Sequence, residues 1–436
     1  MAEDERLYRY AERDQLHAAQ LLHEVKNDST RLDIVLVLQR HLIRCIVRTE
    51  LRVQRLRRRR KGSKPQGRQR ISKVEAVARK SRAAALFERE KELLHLLFLW
   101  RCFGDGIAFI YQSKYALKHT FYDGDYKAKE VAGFMTEHGR LKRGFAREYR
   151  ILCSGIKHNV PVVLCDLTNV IRYGDVCALG GADPVCLEVK ASRNRNARTS
   201  RQVESLRELS EFYVNDGAPV FRGLQNVRRE VSTVEEVDFR DLANACIAAG
   251  LKTGWSHVHP EPGLTYLACT EPDDSKLAEI GINDSTCYYF LSARPDYHLP
   301  SYPFTLSMTS ANCVAFMQQR FGLMVFIDLR EVKAAFARLG AHATMLMDGT
   351  YSVQLTKTPE NLMLGVFRAS EQMLGRVATE FLSIEWFAEA MSERFDVEPG
   401  PPMTLDEAMA LPGTITEVPP AWADAVDCWE PKRGPQ

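Results

Sequence analysis

Between residues 161 and 192 the chain lays down three short apolar runs, "PVVLCDLT", "GDVCAL" and "PVCLEVKAS", separated by "RYG" and "GGADP". Runs so rich in Val, Leu and Cys read as strands, and the Gly- and Pro-bearing breaks read as turns. "TSRQVESLRELSEFY" follows as an amphipathic helix, with Val203, Leu206, Leu209, Phe212 and Tyr213 on one face and Thr199 or Ser200 as its cap. "REYRILCSG", just upstream, reads as a short helix ending at a glycine. The whole stretch is therefore expected to be a small α/β arrangement.

The third run ends in Glu188-Val-Lys190, a tripeptide that recurs at Glu24 to Lys26 and at Glu331 to Lys333. Glu and Lys two apart share a face only on a strand, because strand side chains alternate with period two. At i and i+2 of a helix they point about 200° apart. The copies at 24 and 331 lie in helical patterns, whereas Glu188 and Lys190 end a strand. Across the "GGADP" turn the partner strand carries Asp175, so a hairpin sets Asp175 beside Glu188. Carboxylates converging with a lysine are what a metal-dependent phosphodiesterase requires. Asp166, at the end of the first run, is a rival to Asp175. The bland alternative is a turn-capping Asp175 beside an exposed Glu188–Lys190 strand end. The loop "SRNRNARTSR" adds Arg193, Arg195, Arg198 and Arg201 where phosphates would approach.

"GDVCALGGADPVCLEVKAS" with the helix after it resembles the core of the PD-(D/E)xK nuclease superfamily, over roughly residues 144–215. The resemblance implies a restriction-endonuclease-like αβββαβ core, a mixed sheet flanked by helices with the metal at the hairpin. It implies metal ligation by Asp175 and Glu188, with Glu148 of the preceding helix as a further acid, and Lys190 as the catalytic lysine. Gln202 matches a glutamine found early in the following helix of many members. The implied cofactor is Mg²⁺ or Mn²⁺, and bacterial defence or repair is a common setting for such architectures. Gly174 stands where the motif has proline. The fourth core strand is not evident; "GWSHVHP" or "LTYLACT" are the candidates.

Residues 1 to about 60 carry apolar positions at helical spacing, broken at "DSTRLD", where Ser29 and Thr30 are the expected caps. A further helix is expected from about Ser72 to Cys102, ended by "FGDG". From Arg52 to Arg82 the chain holds fourteen Lys or Arg against one acid, Glu75. Four consecutive arginines within it leave no obvious room for ion-pair neighbours, so Arg57, Arg58, Arg59, Arg60 and Lys61 are expected to contact nucleic acid. Three regions follow: a basic helical one (1–135), the nuclease-like core (136–235) and a C-terminal α/β region of unknown role (236–436).

Composition excludes other classes. With 45% hydrophobic and 26% charged residues the chain is globular. No apolar stretch approaches the ~20 residues of a membrane span, and the charged N-terminus lacks a secretory pattern. The eleven cysteines fall singly, as in a reducing compartment. His257 and His259 share a strand face, but without further ligands at suitable spacing a zinc site there is the weaker reading. The expectation is a cytoplasmic, mixed α/β, metal-dependent nuclease acting on DNA. Its alternatives are an RNA-directed nuclease and a non-catalytic nucleic-acid-binding platform. The C-terminal region would serve a homodimer or a partner protein.

Overall fold

The computed structural model describes residues 4–62, 72–121, 131, 133–189, 197–221, 223–229, 231–271, 274–277, 280–294, 303–356 and 367–395. The chain forms two compact units, Met1–Glu230 and Val231–Gln436. The fold is mixed α/β with small antiparallel sheets.

The first unit opens with three long helices, α1 (Asp4–Asn27), α2 (Leu32–Gly62) and α3 (Lys73–Tyr111), and a short α4 (Lys114–Phe121). Helix α5 (Phe145–Lys157) leads into β1 (Val162–Leu164), β2 (Val176–Ala178) and β3 (Val185–Leu187). After them come α6 (Ala197–Asn215) and a β4 (Gly217–Phe221) to β5 (Leu224–Arg228) hairpin. Strands β1, β2 and β3 pair in that order, with Val163 opposite Cys177 and Cys177 opposite Cys186.

Several details differ from the sequence pattern. At "DSTRLD" the acceptor is Asp28, whose carboxylate takes the Thr30 N–H (3.0 Å) and hydroxyl (2.6 Å). Helix α3 starts as expected, with the Ser72 hydroxyl accepting from the Glu75 N–H. It does not stop at "FGDG" but runs on to Tyr111. The glycine there serves packing: a Cβ on Gly104 would lie 2.0 Å from the Leu167 carbonyl oxygen. Buried Asp105, next in line, accepts from the Asn169 N–H (2.7 Å), the Asn169 amide (2.9 Å) and the Val170 N–H (3.1 Å). Helix α6 begins at Ala197, so Thr199 and Ser200 fall within its first turn rather than capping it. Leu209, Phe212 and Tyr213 are buried with Phe221 of β4, while Val203 is exposed.

Helix α3 is long and apolar enough, by length and composition, to cross a membrane, and 78% of its most apolar stretch is buried in the protein. Its two halves differ. Residues 73–89 are mostly exposed, whereas from Glu90 onward burial dominates.

Helix α2 is tied to the sheet by a buried amide. Gln39, fully buried, donates from Nε2 to the Val162 carbonyl (2.7 Å) and accepts at Oε1 from the Leu164 N–H (3.2 Å). It thus supplies the outer edge of β1 with both bonds a further strand would make. Three turns on, Glu50 accepts from the N–H groups of Phe134 and Met135 (2.9 Å for the latter) and lies 3.6 Å from Arg101.

The second unit holds α7 (Arg240–Thr253), β6 (Trp255–Glu261), β7 (Leu264–Cys269), α8 (Asp274–Leu277) and β8 (Thr286–Leu291). It continues with α9 (Phe304–Ser307), α10 (Ser310–Met317), β9 (Gly322–Asp328), α11 (Leu329–Arg338), β10 (His342–Met345), β11 (Tyr351–Thr356), β12 (Phe367–Ser370), α12 (Glu371–Thr379) and α13 (Ile384–Phe395). Its sheets run β6-β7-β9-β8 and β10-β11-β12. Both candidate fourth strands, "GWSHVHP" and "LTYLACT", are therefore β6 and β7, paired with each other here. The strand that follows α6 in the first unit is β4, which carries Pro219 and did not read as a strand. Buried Arg376 joins Glu380 (2.8 Å) and Glu236 and covers the Trp386 ring, so its charge is matched.

Removing the Gln39 amide should expose its role. Gln39→Leu leaves two buried backbone groups without partners, at about 1–3 kcal/mol each. Hydrogen exchange of the peptide containing Leu164 should accelerate strongly in this variant. Unchanged protection there would mean that α2 does not hold the strand.

Candidate functional site

Helix α5 reaches the sheet through its last turns. Asn159 adopts a left-handed conformation (φ 59°) and the Val160 N–H returns to the Gly155 carbonyl (2.9 Å), a standard helix stop. The expected terminal glycine is inside the helix for another reason: a Cβ on Gly155 would meet Val162 Cγ2 at 2.4 Å. Glu148, Leu152 and Gly155 recur at i, i+4 and i+7, so Glu148 shares the face that carries buried Leu152 to β1.

The hairpin fixes the other acids. Val176 pairs with Leu187, which places Asp175 and Glu188 one step beyond the last paired residues of β2 and β3. The Asp175 N–H donates to the Leu187 carbonyl (2.9 Å), and the Asp175 carbonyl accepts from the Cys165 N–H (3.0 Å). Asp175 Oδ2 accepts from the Val189 N–H (2.8 Å). Gly174 has φ +74°, and a Cβ on it would sit 2.7 Å from the Leu187 carbonyl oxygen, so the residue before the aspartate needs to be glycine here. Asp166 follows Cys165 on the far side of Asp175, in the single 3₁₀ turn Cys165–Leu167.

Four carboxylates thus come from α5 and from three adjoining strand ends. Burial, then the charges of Asp175 and Asp166, push the Glu148 carboxyl up to about 7; Lys142 opposes this and Glu188 adds to it. Asp166 is also raised by burial, against the pull of Lys142 and Arg101. Lys142 Nζ lies 3.5 Å from Asp166 Oδ2, and the Lys142 N–H is anchored on the Phe134 carbonyl (3.0 Å). The sequence reading named Asp175, Glu188 and Glu148 and kept Asp166 as a rival; the charges of Asp175, Asp166 and Glu188 all bear on the Glu148 carboxyl. It missed Lys142, whose arrival depends on the turn that Glu50 holds and on no local motif.

The remaining candidates are spread more widely. Lys190, Arg193 and Arg195 lie outside the described residues, as does the side chain of Arg198. Arg201 is exposed and Gln202 half-buried in the first turns of α6. The arginine run is divided in its roles. Arg57 (2.7 Å) and Arg60 (3.1 Å) both bind buried Glu90 of α3, and Arg60 also covers the Phe87 ring. The expectation of no ion-pair neighbours is corrected: the partner lies on another helix. Arg58, Arg59 and Lys61 are exposed. The other Glu-Val-Lys copies are helical, in α1 and α11, and Lys333 is buried.

Hard carboxylate oxygens in this number suit Mg²⁺ or Mn²⁺. The Glu148 carboxyl is raised first by burial and then by the neighbouring Asp175 and Asp166 charges. Among the described residues the one set of three ligand atoms within 4.8 Å of one another is elsewhere, at Asp14, His41 and Cys45. Compared with protein-family models, with curated proteins and with solved structures, the chain matches none.

The raised carboxyl sets a pH dependence with a definite sign. In chelator, the folded protein holds the Glu148 proton up to about 7, against an ordinary value of 4.5. Its contribution to stability is then complete below about 4.5 and is lost as pH rises through about 7. The urea midpoint should fall over that window, and fall less in Glu148→Gln. Equal slopes for the two proteins would remove Glu148 from the cluster.

Proposed function

We propose that the first unit is a metal-dependent nuclease acting on DNA, built on a restriction-endonuclease-like core. The placing of Asp166, Asp175 and Glu188 at adjoining strand ends, where their charges act on Glu148 of α5, carries this reading. The element order α5-β1-β2-β3-α6-β4 follows the αβββαβ sequence and supports it in order alone: β4 pairs with β5 rather than with the β1-β2-β3 sheet, and that sheet is antiparallel rather than the expected mixed one. In this reading Asp175 and Glu188, with Glu148, hold Mg²⁺ or Mn²⁺. When bound, such a cation supplies Lewis-acid stabilisation of phosphoryl oxygen and lowers the pKa of water. Lys190 orients the attacking water or neutralises charge on the phosphorane. Lys142 holds Asp166 and tempers repulsion among the carboxylates. Arg193, Arg195, Arg198 and Arg201 draw the phosphate backbone towards the hairpin.

The test is cleavage of duplex DNA, single-stranded DNA and RNA by the purified chain in Mg²⁺, Mn²⁺ or EDTA. DNA should be cut only with the divalent ion. Asp175→Asn, Glu188→Gln and Lys190→Ala should each lower the rate by about 10²–10⁴-fold with circular dichroism unchanged. Near wild-type turnover in any of the three would remove that residue's role. Metal-independent cutting, or binding without cutting under every condition, would sink the nuclease reading.

The divided arginine run refines the binding test. Arg58, Arg59 and Lys61 changed together to Ser should weaken DNA binding about equally across sequences. The log–log salt slope should flatten by about 0.9 for each lost phosphate contact. Arg57→Ser and Arg60→Ser should instead lower thermal stability by stranding Glu90. An unchanged salt slope in the triple variant would assign those cations to a solvated face.

A further inference from the structure

Helices α1 and α2 place Asp14 and His17 at i, i+3 and His41 and Cys45 at i, i+4, spacings that put each pair on one helix face. His41 and Cys45 are both buried. Cys45 Sγ lies 3.6 Å from His41 Nε2, and ligand atoms of Asp14, His41 and Cys45 all fall within 4.8 Å of one another. Zinc–nitrogen and zinc–sulfur bonds of about 2.0 and 2.3 Å at a tetrahedral angle imply an N···S edge of about 3.5 Å. The two side chains therefore already span one edge of a zinc tetrahedron.

A cavity of ≈ 490 Å³ opens onto this group, lined by Asp14, His17, His41 and Cys45. The His17 ring stands edge-on to His41 with centroids 5.0 Å apart and lines the same cavity. We infer that Asp14, His41 and Cys45 form a binding site for Zn²⁺ or a similar transition-metal ion, with His17 or water completing the coordination. The mixed N, S and O donor set separates it from the carboxylate cluster, which suits hard cations.

Binding has structural requirements. The His41 Nε2–H, which donates to the Asp14 carbonyl (2.9 Å), has to release that bond and its proton. Arg48, 3.6 Å from Asp14 Oδ2, has to give up the carboxylate; it is 57% exposed and can turn to solvent. A thiolate and a carboxylate together neutralise the divalent charge beside Arg13, Arg44 and Arg48, which line the same cavity.

Cobalt(II) provides the test, on the full chain after chelator treatment and dialysis. One equivalent of Co²⁺ should give tetrahedral d–d bands and a thiolate-to-cobalt charge-transfer band, both bleached by Zn²⁺. Cys45→Ser should abolish the charge-transfer band, and Asp14→Asn should weaken Zn²⁺ binding more than about tenfold. His41 packs edge-on near Trp100, so its replacement risks the fold; the near-isosteric Cys45 and Asp14 variants keep the test decisive. Asp175→Asn and Glu188→Gln should leave the band intact, which separates this site from the proposed nuclease centre. Absence of Co²⁺ binding, or a band that persists in Cys45→Ser, would overturn the assignment.

Discussion

A three-residue strand at the open edge of a sheet has unpaired amides and carbonyls on one side, and burying them without partners is costly. Gln39 resolves this for β1 by presenting a carboxamide, chemically a peptide group, to Val162 and Leu164. The same device recurs around the sheet. Glu50 gathers the N–H groups of Phe134 and Met135, Asp105 gathers Asn169 and Val170, and the Gln112 amide donates to the carbonyls of Leu179 and Gly181. Strands this short are marginal by themselves. Their positions, and hence those of Asp166, Asp175 and Glu188 at their ends, depend on buried polar side chains from α2 and α3.

Periodicity was sufficient to place the long helices and the three short strands, although in β3 Val185 and Leu187 are exposed rather than buried. It failed where a distant contact overrode a local rule. "FGDG" has the composition of a helix stop, yet Gly104 admits the Leu167 backbone and Asp105 caps the loop after it, so the helix continues. The partner of Arg57 and Arg60 is Glu90, some thirty residues on. Helical spacing of three puts those two arginines on the same side of α2, which the run of four conceals.

The candidate site was partly legible for a similar reason. Asp175 and Glu188 fall together through one hairpin, whose register is set by the short turn between its strands. Asp166 and Lys142 join them through β1 and the turn held by Glu50, which needs three dimensions. Asp14, His41 and Cys45 carry no familiar motif, although both helical spacings are visible once α1 and α2 are known to be neighbours. Lys190 lies outside the described residues, so its place rests on the sequence pattern alone.

Helix α3 is 39 residues long, about 58 Å at 1.5 Å per residue, yet it lives in two environments. From Glu90 onward its backbone is clamped by the core. Before that, the Ser72 cap, the Glu75–Arg79 pair and intrinsic propensity are its main supports. A single continuous helix therefore spans two cooperative units, and its amide protons should exchange on a gradient. Opening of the first half costs little and proceeds from the N-terminus, whereas opening of the second half requires the whole unit to unfold.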